Sequence, residues 1–130
     1  TIGVDLTTHI VSLRPDYRVK LTVWDMAGQD RFAVVRAPFY KGSRAVVIVF
    51  DIADPTSLAN LEKWVREVRS FLPSSPLILV GNKIDLPRRV PAQLGHRFAQ
   101  VLRVPYFETS CMSGEGIQPL FEELGRRAAS

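Results

Sequence analysis

The chain has 130 residues, enough for one domain with a sizeable buried core. Apolar residues make up 46% and charged residues 23%, the usage of an ordinary soluble globular protein. The net charge of +4 comes from 17 basic and 13 acidic residues scattered along the chain, with only the pairs Arg88-Arg89 and Arg126-Arg127 as basic clusters. A nucleic-acid groove or a membrane-binding tract needs a denser stripe, so these pairs read as solvated faces and no nucleic-acid partner is expected.

In chain order, residues 4–13 and 17–25 are β-rich segments around the turn-forming cluster Arg14-Pro15-Asp16, which predicts an antiparallel hairpin. Residues 45–50 and 77–80 are unbroken apolar runs, the pattern of parallel strands covered on both faces. Residues 105–109 predict a shorter, later strand. Between them, Leu58, Leu61, Val65 and Val68 share one helical face, with Asp54 as cap and Pro55 in the first turn. Leu94, Phe98, Val101 and Leu102 repeat that pattern, as do Ile117, Leu120, Phe121 and Leu124. Strand and helix alternate from residue 45 onward, which predicts an α/β fold with a mostly parallel sheet and ligands bound beyond the carboxyl ends of its strands.

Three short runs sit at those ends: Asp25-Met26-Ala27-Gly28-Gln29, Asn82-Lys83-Ile84-Asp85 and Glu108-Thr109-Ser110. Asp25 can hold Mg²⁺ through water, and Gly28 lets its backbone N–H approach a terminal phosphate. Gln29 can orient an attacking water by accepting and donating at once. The plainer reading of this run is an Asp-containing turn with Gln29 exposed. The carboxylate of Asp85 can accept two parallel hydrogen bonds from the ring N–H and exocyclic amine of guanine, a donor pair that adenine lacks. Asn82 would tie that loop to its neighbours, and the Lys83 stem could lie flat against the base. Asn-Lys-x-Asp is also ordinary surface-turn composition.

Ser110-Cys111-Met112 can aim a backbone N–H at the guanine O6, while Cys111 also reads as a small buried hydrophobe. His9 and His96 read as surface or strand residues, and neither is placed by sequence to make Cys111 a catalytic thiol. The single cysteine excludes an internal disulfide and fits a reducing compartment such as the cytoplasm. No apolar run approaches the ~20 residues that span a bilayer, and no secretory signal opens the chain. The final Arg126-Arg127-Ala128-Ala129-Ser130 holds no cysteine for prenylation, so a peripheral membrane location is expected only through a lipidated tail outside this chain.

The order and placement of these runs carry a family resemblance. The chain resembles the Ras superfamily of small GTPases, and its Rab branch most closely. Thr1-Ile2-Gly3-Val4-Asp5-Leu6 is similar to the Rab switch I run Thr-Ile-Gly-Val-Asp-Phe. Lys20-Leu21-Thr22-Val23-Trp24-Asp25-Met26-Ala27-Gly28-Gln29-Asp30-Arg31-Phe32 resembles Lys-Leu-Gln-Ile-Trp-Asp-Thr-Ala-Gly-Gln-Glu-Arg-Phe. Phe39-Tyr40-Lys41-Gly42 is similar to Tyr-Tyr-Arg-Gly, and Glu108-Thr109-Ser110-Cys111-Met112 stands where Glu-Thr-Ser-Ala-Lys is expected.

The resemblance implies a GTP-hydrolysing switch that binds GTP or GDP with Mg²⁺. Thr1 would ligate the metal and sense the terminal phosphate. Asp25 would hold the metal's water shell within a phosphate-facing loop made with Met26, Ala27 and Gly28, and Gln29 would position the nucleophilic water. Asn82, Lys83, Ile84 and Asp85 would form the guanine-reading loop, with Ser110, Cys111 and Met112 backing the base. Exchange factor, GTPase-activating protein and effectors would touch the switch regions near Thr1 and from Ala27 to Tyr40, on a monomer.

The chain also departs from the family pattern. Met26 replaces a Thr, Met112 replaces a Lys, and Leu6 replaces a Phe that forms an effector-facing triad with Trp24 and an aromatic at position 39. No Gly-x-x-x-x-Gly-Lys-Ser/Thr phosphate loop occurs, and the first residue is Thr1. The expectation is a partial small-GTPase domain over residues 1–130, from switch I to the last helix. It would be a P-loop NTPase-type, Ras-like sheet lacking its first strand, phosphate loop and first helix. That strand would lie between the strands ending at Asp25 and Phe50. Without it, either a gap opens or the segments around Val23 and Val47 pair directly. The alternatives are a pseudo-GTPase that works as a protein-binding module and a phosphoacceptor domain with Asp51 at a strand end as acceptor and Lys83 after a later strand, which lacks the early acidic pair such a site wants.

Overall fold

The computed structural model describes residues 4–26 and 40–129. Strands β1 (Val4–Arg14) and β2 (Tyr17–Met26) form the expected antiparallel hairpin, with Val11 opposite Val19 and a register shift between Ser12 and Arg14. Pro15 and Asp16 make the turn, and the Arg14 guanidinium lies 5.1 Å above the Tyr17 ring. Side chains alternate across the ribbon: Val11 is 3% exposed while Ile10 beside it is 66% exposed. One face of the hairpin is therefore committed to the interior, which fixes its register.

Strands β3 (Val46–Asp51), β4 (Leu77–Asn82) and β5 (Tyr106–Glu108) form a separate parallel sheet in the order β3-β4-β5. The unbroken apolar run of β4 is explained by its central place. Leu77 and Leu79 face one apolar cluster, Ile78 and Val80 face the other, and all four are buried.

Helices α1 (Pro55–Ala59) and α2 (Leu61–Phe71) replace the single helix expected there. Asp54 caps α1 as expected, its Oδ1 accepting from the Thr56 N–H at 3.0 Å, with Pro55 in the first turn. The break falls at Asn60. The Asp51 N–H donates to Ser57 Oγ at 2.8 Å, so α1 is oriented by the end of β3, while Leu61 at the start of α2 is fully buried in the core.

Helix α3 (Ala92–Leu102) presents a different face from the one its periodicity suggested. Leu94 and Val101 are exposed, and Gly95 and Ala99 are buried instead. A Cβ on Gly95 would lie 2.4 Å from the Tyr106 ring, so the smallest residues of α3 form the contact face and let the helix close onto β5. Helix α4 (Ile117–Ala129) buries Leu120 and Leu124 as expected.

Helices α2 and α3 cover one face of the parallel sheet, packing around Ile48, Phe50 and Leu79. Helix α4 covers the other, around Ile78 and Val80, and the same cluster takes in Val11, Leu13 and Val19 of the hairpin. Among the described residues no ladder joins β2 to β3. The segments around Val23 and Val47 do not pair directly, and α4 packs against both the hairpin and the parallel sheet. No helix among the described residues is long and apolar enough to cross a membrane.

Candidate functional site

The carboxyl ends of β3, β4 and β5 meet at one edge, where the register sets Asp51 beside Asn82 and Gly81 beside Glu108. The chain leaves β4 through Lys83, whose φ of 70° is left-handed, and turns back with the Leu86 N–H donating to the Lys83 carbonyl at 2.9 Å. Two backbone bonds fasten this loop to the residue after β5: the Thr109 N–H donates to the Gly81 carbonyl at 2.9 Å, and the Ile84 N–H donates to the Thr109 carbonyl at 3.2 Å.

Side chains complete the fastening. The hydroxyl of Thr109 donates to Asn82 Oδ1 at 2.9 Å, so Asn82 does tie the loop to its neighbours. The hydroxyl of Ser110 donates to Asp85 Oδ1 at 2.7 Å and accepts from the Ser113 N–H at 3.1 Å, which fixes its direction. Thr109 and Ser110 are 2% and 0% exposed, whereas Asp85 is exposed. A carboxylate is thus held at one oxygen by a buried hydroxyl and presented to solvent. Gly116 is obligatory to the loop behind it. Its φ is 77°, and a Cβ there would lie 2.1 Å from the Glu108 carbonyl oxygen.

Two ion pairs flank the loop. On the β3 side, Lys83 Nζ lies 2.9 Å from Asp51 Oδ2, and Asp51 Oδ1 accepts from the Ala53 N–H at 2.8 Å. The Lys83 hydrogen bond holds the Asp51 carboxyl below its usual range, and the same bond raises the Lys83 ammonium. On the β5 side, Arg88 makes a forked pair with Glu108, at 2.6 and 3.0 Å, and the Tyr106 hydroxyl donates to Glu108 at 2.7 Å. Burial pushes Glu108 upward, but the bonds from Arg88 and Tyr106 prevail and its carboxyl titrates below the usual range. Burial first, and the Glu108 contact second, raise the Tyr106 hydroxyl.

Arg88 and Arg89 lie on an exposed face, as expected, with Arg88 paired to Glu108; Arg89 and Val90 both donate backbone N–H bonds to the Ile52 carbonyl, and Val90 is drawn into the core. One expectation is corrected at this edge. Cys111 is exposed rather than a small buried hydrophobe, because Thr109 and Ser110 take the interior positions; its Sγ lies 3.8 Å from Asn82 Oδ1. Met112 is also exposed, at 87%. Arg126 and Arg127 do lie on an exposed face, both paired with Glu123.

Thr1, Ala27, Gly28 and Gln29 lie outside the described residues, and Asp25 and Met26 are placed only as the last two residues of β2. The far end of the expected second switch is described: Tyr40 is buried, stacks on Phe71 at 4.8 Å between centroids, and donates to Glu67. A surface hollow of about 410 Å³ between Arg88 and Gln93 lies at the opening turn of α3, apart from the ledge formed by Asn82, Asp85 and Ser110. The Arg88–Glu108 pair carried no spacing signal that sequence reasoning could use, since it joins separate strand ends, whereas Asp51 and Lys83 were legible as strand-end residues but not as an ion pair.

A parallel sheet with helices on both faces and an Asn-Lys-x-Asp loop buttressed by a Thr-Ser strand end defines a Ras-like α/β protein, and the sequence model of the Ras family matches residues 1–130. The chain belongs to the Ras family. It is 38% identical over 127 residues to Ras-related protein Rab-18 of Caenorhabditis elegans, a match covering 95% of this chain and 62% of that protein. It is 39% identical over 129 residues to Ras-related protein Rab-4 of Dictyostelium discoideum, covering 97% and 62% respectively. To GTP-binding protein YPT1 of Saccharomyces cerevisiae it is 35% identical over 130 residues, covering 98% and 63%. The chain thus spans about three-fifths of the length of these relatives.

Proposed function

We propose that the whole protein is a guanine-nucleotide switch of the Rab type, binding GTP and GDP and hydrolysing GTP in vesicle trafficking. The observation that carries this reading is the Asp85 carboxylate, fixed at one oxygen by buried Ser110 and presented beside an Asn82 locked to Thr109. That pair of bonds pre-organises the double acceptor that guanine satisfies and adenine does not. Lys83 and Ile84 complete the base loop, and Ser110 to Met112 back it.

In the same reading Thr1 and Asp25 serve Mg²⁺, Met26, Ala27 and Gly28 face the phosphates, and Gln29 aligns the attacking water. Mg²⁺ would supply charge neutralisation at the phosphate oxygens. Exchange factor, GTPase-activating protein and effectors engage the segments near Thr1 and between Ala27 and Tyr40 of a monomeric domain spanning residues 1–130. Location is cytoplasmic, and peripheral to a membrane where a lipidated tail is present.

Calorimetric titration of the full-length protein with GDP and with ADP tests the reading. Strong GDP binding with negligible ADP binding is expected. Equal affinities would end the guanine assignment, and no binding of either nucleotide would favour a protein-binding module built on this fold.

A further inference from the structure

Asp51 has no part in the base-reading loop, yet the fold brings it to the lysine of that loop. It closes β3 directly beside Asn82, and its Oδ2 lies 2.9 Å from Lys83 Nζ. Asp51 is itself pre-set: its Oδ1 is occupied by the Ala53 N–H, and its backbone N–H donates to Ser57 Oγ at the start of α1. Lys83 leaves β4 from a left-handed backbone position, and the far end of its stem is held at the end of β3 by Asp51. Asp54 and Asp85 also favour the charged ammonium, but more weakly and without a hydrogen bond to it.

A flexible four-carbon stem makes a shelf for a flat base only when its far end is anchored, because an unanchored lysine keeps its rotamer freedom. Asp51 is that anchor. We propose that Asp51 is a positioning residue of the nucleotide site, holding the Lys83 stem across the strand ends so that its apolar length supports the bound base. The inference rests on the guanine-site reading above and deepens it by assigning a residue outside the Asn82–Asp85 loop.

The test is a double-mutant cycle on the full-length protein, measuring dissociation of GDP and of IDP, which lacks the exocyclic amine that Asp85 would read. Asp51→Asn is expected to speed release of both nucleotides by about two- to fivefold, the worth of a partly exposed ion pair. The GDP-to-IDP ratio stays parental, because the stem meets the base and not its amine. In a Lys83→Met background the same change has no further effect, and Asp51→Glu restores slow release.

Parental release rates in Asp51→Asn, or an equal acceleration in the Lys83→Met background, would overturn the inference. So would a fallen GDP-to-IDP ratio, which would mean that Asp51 merely stiffens the Asp85 loop. If Asp51→Asn does not fold, Asp51→Ser enters the same cycle with the same criteria. A parental protein that binds neither GDP nor IDP ends the guanine-site reading and this inference with it, whereas a parent that binds GDP normally alongside an indifferent Asp51→Asn ends this inference alone.

Discussion

The Thr109 hydroxyl donates to Asn82 Oδ1 at 2.9 Å, linking the end of β4 to the residue after β5 across 27 positions of sequence. Thr109 is 2% exposed, so this bond is shielded from water and its loss is not made good by solvent. Thr109→Val keeps the branched shape and removes the donor. We expect a cost of about 1 kcal/mol in denaturant unfolding, together with weaker GDP binding. Unchanged stability and affinity would show that the bond positions nothing.

Asp85 is exposed and contributes one bond, from Ser110, to the fold. Asp85→Asn is therefore expected to leave the melting temperature of the nucleotide-free protein nearly unchanged. GDP affinity should fall by a few kcal/mol, about the cost of stranding two donors of the bound base. A fall in stability as large as the fall in affinity would assign Asp85 a structural role instead.

Gln29→Leu keeps side-chain bulk and removes the water contact proposed for it. Single-turnover GTP cleavage by the full-length protein should slow at least tenfold, on the order of 1.4 kcal/mol or more in the barrier, with GDP affinity barely altered. Cleavage at the parental rate would place the water-orienting role elsewhere.

Arg88 and Glu108 supply a pH-dependent contribution. The folded-state carboxyls of Glu108 and Asp51 titrate below their ordinary values of 4.5 and 3.8. Their stabilisation is therefore complete above those values and is lost as pH falls through the lower folded-state values. Arg88→Met should cost about 1–2 kcal/mol at neutral pH, a range reduced for the partial exposure of the pair. It should also shrink the loss of stability on acidification below pH ~4.5, measured by urea melts across pH. An acid limb identical to the parent's would remove Glu108 from the account.

The open side of β3 bears on the isolated polypeptide. Val46 and Ile52 donate toward β4, so the N–H groups of Val47 and Val49 point away from it, and the Val49 side chain is 54% exposed. Residues 1–130 expressed alone are expected to melt without cooperativity, to aggregate, and to bind GDP weakly. A soluble monomer with a sharp reversible melt and tight GDP binding would contradict this.

Periodicity and composition alone determined the hairpin, the three parallel strands and the positions of the motifs at strand ends, because apolar runs and turn residues report local geometry directly. The short motifs, through the family resemblance, put Asp85 and Ser110 in one site, and the two are hydrogen-bonded. What these signals could not decide was anything set by the meeting of separate segments. Helix α3 turned Gly95 and Ala99 inward instead of Leu94 and Val101 because Tyr106 of β5 occupies the space where larger side chains would go. Cys111 moved outward because Thr109 and Ser110 had already filled the interior. Asp51 and Lys83, 32 positions apart, became partners only when β3 and β4 aligned in register. Hydrophobic pattern encodes that a segment has an apolar face, but which residues are buried and which neighbour receives them are properties of the assembled sheet.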